Sequence, residues 1–283
     1  MKPDLHTHTT SSDGLLTPRE LVALADKHRV TLLAITDHDT FDGVAQLAGV
    51  QTPMPILPGV ELSLRDMPGL HLLGYGIKTD TPLHHAVQKL SEMRLGRARQ
   101  MVEKLCALGY PLNYDEIARD AQGSVGRPHI ARAMVQHGYV ADTHEAFDRF
   151  LADGAPAYVA GERLSMTEAL LLMRQSGFVS VLAHPMELDK TDAALRYLLG
   201  TWQEQGLRGV EVYHPSAGRA MPLLDLTARR MGFLVTGGSD FHGDGDRHGM
   251  VGCTAPLWPK AREDVEKLLQ AVADAAQDTT NPN

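Results

Sequence analysis

Nine side chains that can bind divalent cations stand at or beside the ends of short apolar runs: His6, His8, Asp13, His38, Glu61, His71, His184, Asp240 and His242. Imidazole nitrogens and carboxylate oxygens, with no cysteine among them, suit borderline-to-hard ions such as Mn²⁺, Fe²⁺ or Zn²⁺. The set exceeds what one four-coordinate ion needs, so two or three ions are expected. A carboxylate such as Glu61 can bridge two of them. The densest part is Asp4-Leu5-His6-Thr7-His8-Thr9-Thr10-Ser11-Ser12-Asp13. If residues 1–5 form a strand, His6 and His8 leave its end on one side, because strand side chains alternate with a period of two. H-x-H alone is short and would equally fit a polar N-terminal arm. The repetition of the pattern at other strand ends favours metal.

Those ends belong to elements with a regular order. Thr17-Pro18-Arg19-Glu20 is a capping box with proline at the first helical position, and the helix should end near His28. Residues 31–35 form a continuous apolar run, as expected of a strand buried on both faces. Further strands are expected over 54–60, 70–76, 178–183, 209–213 and 233–236, leading to Glu61, His184, His214 and the Gly237-Gly238-Ser239-Asp240-Phe241-His242 stretch. His71 lies near the start of its strand. Ser165-Met166-Thr167-Glu168 opens another capped helix, and residues 191–205, 219–231 and 262–275 are helical in pattern. Alternating strands and helices predict an α/β fold with a parallel sheet. Ligands from about six strand ends converge naturally on the C-terminal face of a closed barrel. No glycine-rich nucleotide loop is present.

Residues 82–158 break the alternation. They carry only helical patterns, over 82–109, 113–121, 127–137 and 143–151, and read as a helical insert between barrel parts 1–81 and 159–283. The 283-residue chain is 43% hydrophobic and carries a net charge of −8, the balance of a globular protein without a broad basic surface. Long duplex nucleic acid is therefore not an expected partner, and no apolar run approaches the ~20 residues of a membrane span. Cys106, in an apolar helical pattern, reads as core; two cysteines imply no disulfide framework. With no signal peptide at the start, a cytoplasmic location is expected. The polar tail 277–283 reads as disordered.

The motifs His6-Thr7-His8, Asp13-Gly14, Thr36-Asp37-His38-Asp39, Pro58-Gly59-Val60-Glu61, His71-Leu72-Leu73-Gly74-Tyr75, Ala183-His184-Pro185 and Gly238-Ser239-Asp240-Phe241-His242 resemble the PHP (polymerase and histidinol phosphatase) family, in order and over nearly the whole chain. The resemblance implies a distorted (β/α)7 barrel, three divalent cations (Mn²⁺ foremost, Fe²⁺ or Zn²⁺ otherwise) and phosphoester hydrolysis by a water activated between them. Carried over, it assigns one ion to His6, His8, Glu61 and Asp240, a second to Glu61, His71 and His184, and a third to Asp13, His38 and His242. Some members have histidine in place of Asp13. The stretch Ser124-Val125-Gly126-Arg127-Pro128-His129-Ile130-Ala131, with the insert, is similar to a bacterial subgroup found beside tryptophan genes. That subgroup implies hydrolysis of nucleoside 3′,5′-bisphosphates or 5′-to-3′ trimming of short RNA.

Arg127 offers a planar fork for phosphate oxygens, at a helix start with free N–H groups. Its bland alternative is a pair with a surface acid. His214, after Tyr213, is a candidate for phosphate contact or leaving-group protonation, and His129 for sharing that role or binding a second phosphate. The expected substrate is a small nucleotide such as adenosine 3′,5′-bisphosphate, with a 5′–3′ exoribonuclease on short RNA and a non-catalytic metal or phosphate sensor as the other readings. Asp4, Asp37 and Asp39 either orient imidazoles or cap turns. His28, His84, His85, His137, His144 and His248 read as surface or helix residues, Arg97 and Arg99 as a solvated face of the long insert helix, and the insert itself as a lid over the barrel mouth.

Overall fold

The computed structural model describes residues 1–121, 125–243 and 249–278. In chain order the first half contains β1 (Pro3–Asp4), α1 (Pro18–Lys27), β2 (Leu32–Ile35), a short α2 (Asp42–Ala45), β3 (Ile56–Ser63) and β4 (His71–Tyr75). Then come α3 (Pro82–Ala107), α4 (Tyr114–Ala121), α5 (Arg127–Gln136), α6 (Thr143–Ala146) and a π-helical turn at Phe147–Leu151. The second half is α7 (Met166–Gln175), β5 (Val179–Leu182), α8 (Asp192–Glu204), β6 (Gly209–Tyr213), α9 (Met221–Arg230), β7 (Leu234–Gly237) and α10 (Ala261–Asp278).

The seven strands form one sheet in sequence order, β1 to β7. Backbone bonds from Leu5 N to Gly237 O (3.1 Å), Asp240 N to His6 O (2.9 Å) and His8 N to Phe241 O (3.0 Å) bring the first strand against the last. The result is a nearly closed α/β barrel. One expectation needs correction: the sheet is not all parallel, because β4 pairs antiparallel with both β3 and β5. Only residues 64–70 join β3 to β4, whereas a parallel return needs a crossover of about a dozen residues or more. The chain therefore doubles back, and the start of β4, not its end, lies at the same rim as the ends of its neighbours. That is why His71 reaches the site from the first position of its strand.

The barrel core is apolar and closed, with Leu62, Leu72, Val181, Val210 and Val235 at 0–2% exposure. Both sequence-predicted capping boxes form, at Thr17–Glu20 and Ser165–Glu168. A second apolar cluster is built only from residues of the 98–157 stretch, among them Met101, Leu105, Ile117, Ile130, Met134 and Leu151. Among the described residues, 82–158 contains helices and no strand. Cys106 is exposed rather than core: the buried face of α3 carries Ala98, Met101, Val102 and Leu105, and the next position turns outward by one helical step. Gln277 and Asp278, expected in a disordered tail, continue α10. Ser124, His248 and residues 279–283 lie outside the described residues.

Candidate metal centre

All nine predicted side chains converge on the barrel mouth. His6 Nε2 and His8 Nε2 face one another at 3.1 Å. Glu61 Oε2 lies 3.2 Å from each of them, and Asp240 Oδ1 lies 3.3 and 3.1 Å away. Four ligand atoms tetrahedrally disposed ~2.0 Å from an ion would stand roughly 3.3 Å from one another. His71 Nδ1 and His184 Nε2 are 3.2 Å apart and each is 3.0 Å from Glu61 Oε1. His8, Asp13, His38 and His242 form a third group, with His242 Nε2 at 3.2 Å from Asp13 Oδ1. Glu61 touches the first two groups and also His38 Nδ1, at 3.1 Å.

Local backbone explains how distant residues meet. Glu61 lies inside β3, paired with Leu73, rather than after the strand end as expected; His38 bridges to it in parallel. His184 and Asp240 take positive φ values, 24° and 54°, as does Asp39 at 52°. Such conformations cost energy for side-chain-bearing residues and cluster where side chains must be aimed. Gly238 is required for another reason: a Cβ there would overlap the backbone and Cβ of His6. β7 can approach β1 closely only without one.

The donor set is short of positive charge. Burial alone would raise the Glu61 carboxyl, but His38, His6 and His71 hold it well below its usual range. Asp13 is likewise depressed against burial by His242 and His38. Burial would lower His8, yet Asp240 and Glu61 push it to about 10, and Glu61 lifts His184 to about 9. Carboxylates crowded on imidazoles thus recruit protons, and cations that displace those protons fit the same places. The residues present fit divalent metal.

Glu211 was not singled out from sequence. It accepts from His6 Nδ1 at 3.1 Å and from the His184 backbone N–H at 2.9 Å. Because a carboxylate only accepts, it fixes the His6 proton on Nδ1 and turns the Nε2 lone pair toward His8 and Glu61. The signal was a charge inside the apolar strand Gly-Val-Glu-Val-Tyr. The three flanking aspartates accept from backbone N–H and hydroxyl groups of neighbouring loops, and the Ser12 hydroxyl on Asp37 also lies 3.5 Å from His8 Nδ1. Asp4 accepts from Ser239 and Gly252 N–H groups, Asp37 from Thr9 and Ser12, and Asp39 from Ser63.

The insert supplies the opposite wall of the cleft. Arg127 and Pro128 at the start of α5, and Arg97 of α3, line it together with Asp13, His38 and His71. Arg97 was expected on a solvated face; it is half-buried and packs against Gly161, while Arg99 is exposed and pairs with Asp115. Arg127 Nη1 binds Asp153 at 2.8 Å, so the acid pair and the cleft position coexist. A connected part of the cleft, about 250 Å³, exposes Glu61, His184, Asp240 and His242 opposite Arg132 and Thr143. His214 is buried beside the cluster, with Nε2 3.6 Å from Asp240 Oδ2. Its Nδ1 accepts the Ser216 N–H at 3.1 Å. His129 does not line this cleft; its Nδ1 accepts the Gly126 N–H at 3.1 Å and it borders a separate cavity.

No family model matches the chain. It is 35% identical to the 3′,5′-nucleoside bisphosphate phosphatase of Chromobacterium violaceum, over 92% of this chain and 93% of that protein. The chain belongs to the PHP family of metal-dependent phosphoesterases. It is a hydrolase, and its His/Asp/Glu cluster has the donor set for divalent metals. It is also 33% identical to a 5′-3′ exoribonuclease of Haemophilus influenzae, over 92% of this chain and 98% of that protein. A solved structure described as a metal-dependent phosphoesterase of Bifidobacterium adolescentis superposes with a TM-score of 0.81 at 29% identity, covering 95% of each chain. This PHP barrel has no described helix long and apolar enough to cross a membrane.

Proposed function

We propose that the chain removes the 3′-phosphate from nucleoside 3′,5′-bisphosphates. The observation that carries this reading is the cleft lined by seven of the nine cluster residues (all but His6 and His8) together with Arg97, Arg127 and Arg132. The named activity of the Chromobacterium violaceum relative supports the choice of substrate. We assign three ions, Mn²⁺ foremost, to His6/His8/Glu61/Asp240, to Glu61/His71/His184 and to Asp13/His38/His242. When bound, such cations supply Lewis acidity and an activated water for in-line attack on phosphorus.

The chain's own residues do the rest. Arg127 keeps N–H donors beyond the one given to Asp153 and offers them to phosphate oxygens, where charge develops in the transition state. His214, with Nδ1 accepting from the Ser216 N–H, keeps its neutral-form proton on Nε2, beside Asp240, and donates it as a hydrogen bond to a phosphate or leaving-group oxygen. Residues 82–158 act as a lid domain over barrel parts 1–81 and 159–283 and exclude water from the cleft. The unpaired thiols of Cys106 and Cys253 suit a cytoplasmic setting.

The second reading is 5′–3′ exoribonuclease action on short RNA, favoured by the Haemophilus influenzae relative. Mn²⁺-loaded protein given adenosine 3′,5′-bisphosphate and a 5′-phosphorylated oligomer in parallel separates the two. Faster inorganic phosphate release from the bisphosphate supports the phosphatase, and faster mononucleotide release replaces it with the nuclease. No turnover of either removes both and leaves a metal or phosphate sensor.

A further inference from the structure

The guanidinium of Arg127 sits in a cradle built largely by one short segment. Phe147–Leu151 is a π-helical turn, and the Ala152 N–H closes it on the Phe147 carbonyl at 2.8 Å. Such turns are rare and recur at functional sites. This one and the residues just after it bring three groups to the same side chain. Arg127 Nη1 donates to the Leu151 carbonyl at 3.3 Å and to Asp153 Oδ1 at 2.8 Å. The Phe147 ring centroid lies 5.6 Å from Arg127 Cζ, and Tyr158 places a second ring at the same distance.

Fold stability does not account for this cradle. The Arg127 side chain is 22% exposed and that of Asp153 49%, so solvent screens their pair and its contribution to stability is small. The turn has its own anchors, because Phe150 and Leu151 are buried in the apolar cluster of the insert. What the contacts do set is direction. Nη1 commits both of its N–H groups, one to Leu151 and one to Asp153. Nε and Nη2 form the remaining edge, a planar pair of donors that matches two oxygens of a phosphate. Arg127 and Phe147 line the cleft together with Asp13, His38 and His71. A side chain held in one conformation before a ligand arrives loses less freedom on binding it.

We propose that Asp153 is a positioning residue: with the π-helical turn, it aims the Nε–Nη2 edge of Arg127 at the substrate phosphate. The inference rests on the phosphate-binding role given to Arg127 above. The opposite role, an acid that competes with phosphate for Arg127, would put a carboxylate on the Nε–Nη2 edge, whereas Asp153 takes its hydrogen bond from Nη1.

The test is a double-mutant cycle on full-length, Mn²⁺-loaded protein. Asp153→Ala, Asp153→Asn, Arg127→Ala and the double variant Arg127→Ala/Asp153→Ala are compared with wild type. The substrate is the better of adenosine 3′,5′-bisphosphate and a 5′-phosphorylated oligomer. Asp153→Ala lowers kcat/KM about tenfold. Asp153→Asn, which keeps the acceptor oxygen, restores most of it, and Asp153→Ala costs nothing further in the Arg127→Ala background. Equal losses in both backgrounds mark a structural role and overturn the proposal, as does an unchanged or raised kcat/KM in Asp153→Ala alone. If Arg127→Ala itself changes nothing, the phosphate role of Arg127 fails and the proposal falls with it. If wild-type protein turns over neither substrate, the phosphoesterase reading fails on its own account, and calorimetric binding of inorganic phosphate to the same proteins decides. Affinity lost through Asp153→Ala only where Arg127 is present supports the proposal, and an equal loss in both backgrounds, or none, overturns it.

Discussion

His6 is committed to one orientation by its own neighbours. Glu211 holds Nδ1 and the lone pair of Nε2 is left for the cluster. Glu211→Gln keeps the shape but weakens the acceptor. It should cost about 10- to 100-fold in metal affinity, read by competition with a chelating dye; unchanged affinity would show that the ring is oriented by packing alone. Arg127→Ala should leave metal content intact and lower kcat/KM roughly 10- to 100-fold, the size of a lost charge-assisted hydrogen bond. Metal analysis beside steady-state kinetics checks both halves, and unchanged kinetics removes Arg127 from phosphate binding. At this scale the nine cluster residues were legible because histidine and acid are conspicuous at the ends of apolar runs. Glu211 was not, because a single charge in the middle of a strand carries no sign of which distant side chain it meets. Arg132 was hidden similarly: nothing in α5 says that it reaches back to the loop carrying Asp13.

α7 starts with Ser165 accepting from the Glu168 N–H, while the Glu168 carboxylate accepts from Ser165 and pairs with Arg65. The Ser165 N–H and hydroxyl, then Arg65, hold that carboxyl down at about 2. A depressed folded pKa stabilises above the unfolded value, so this contribution is full above about 4.5 and is lost as pH falls toward 2. In Glu168→Gln that segment of the acid limb should flatten in a denaturation series across pH, whereas an unaltered slope would place the titration elsewhere. Ser165→Ala should cost about 1 kcal/mol, read by urea unfolding. Gly238→Ala is expected to do more, because its methyl group has to displace His6; metal binding should fall with stability, and retained metal would mean that β7 can shift freely. Helix starts were legible because caps are local chemistry. The direction of β4 was not, since an apolar run reads alike both ways and only the short 64–70 link sets it. Arg97 and Cys106 were misassigned for a related reason: helical periodicity marks a buried face, but not what stands opposite its edge.

For the whole molecule, barrel closure is what turns residues as far apart as His6 and His242 into one centre, and order along the chain made that legible. The cleft was less so, because it depends on how the helices of residues 82–158 meet the barrel mouth, which no local pattern encodes. A centre assembled from so many elements should couple metal binding to global stability. An ion at about a thousand times its Kd adds ~4 kcal/mol, or roughly 10 °C in Tm for a chain of this size. Mn²⁺ added to chelator-stripped protein should give that rise, and His8→Ala should remove most of it; an identical rise in the variant would place the ions away from the barrel mouth. The central claim is that the strand-end cluster is a multi-metal phosphoesterase centre. Its most direct test is inorganic phosphate release from adenosine 3′,5′-bisphosphate by one preparation, first stripped and then reloaded with Mn²⁺, with bound metal counted each time. Activity absent in the stripped protein and restored as occupancy approaches three ions per chain is the predicted result. Phosphate release independent of occupancy, or none at full occupancy, contradicts it.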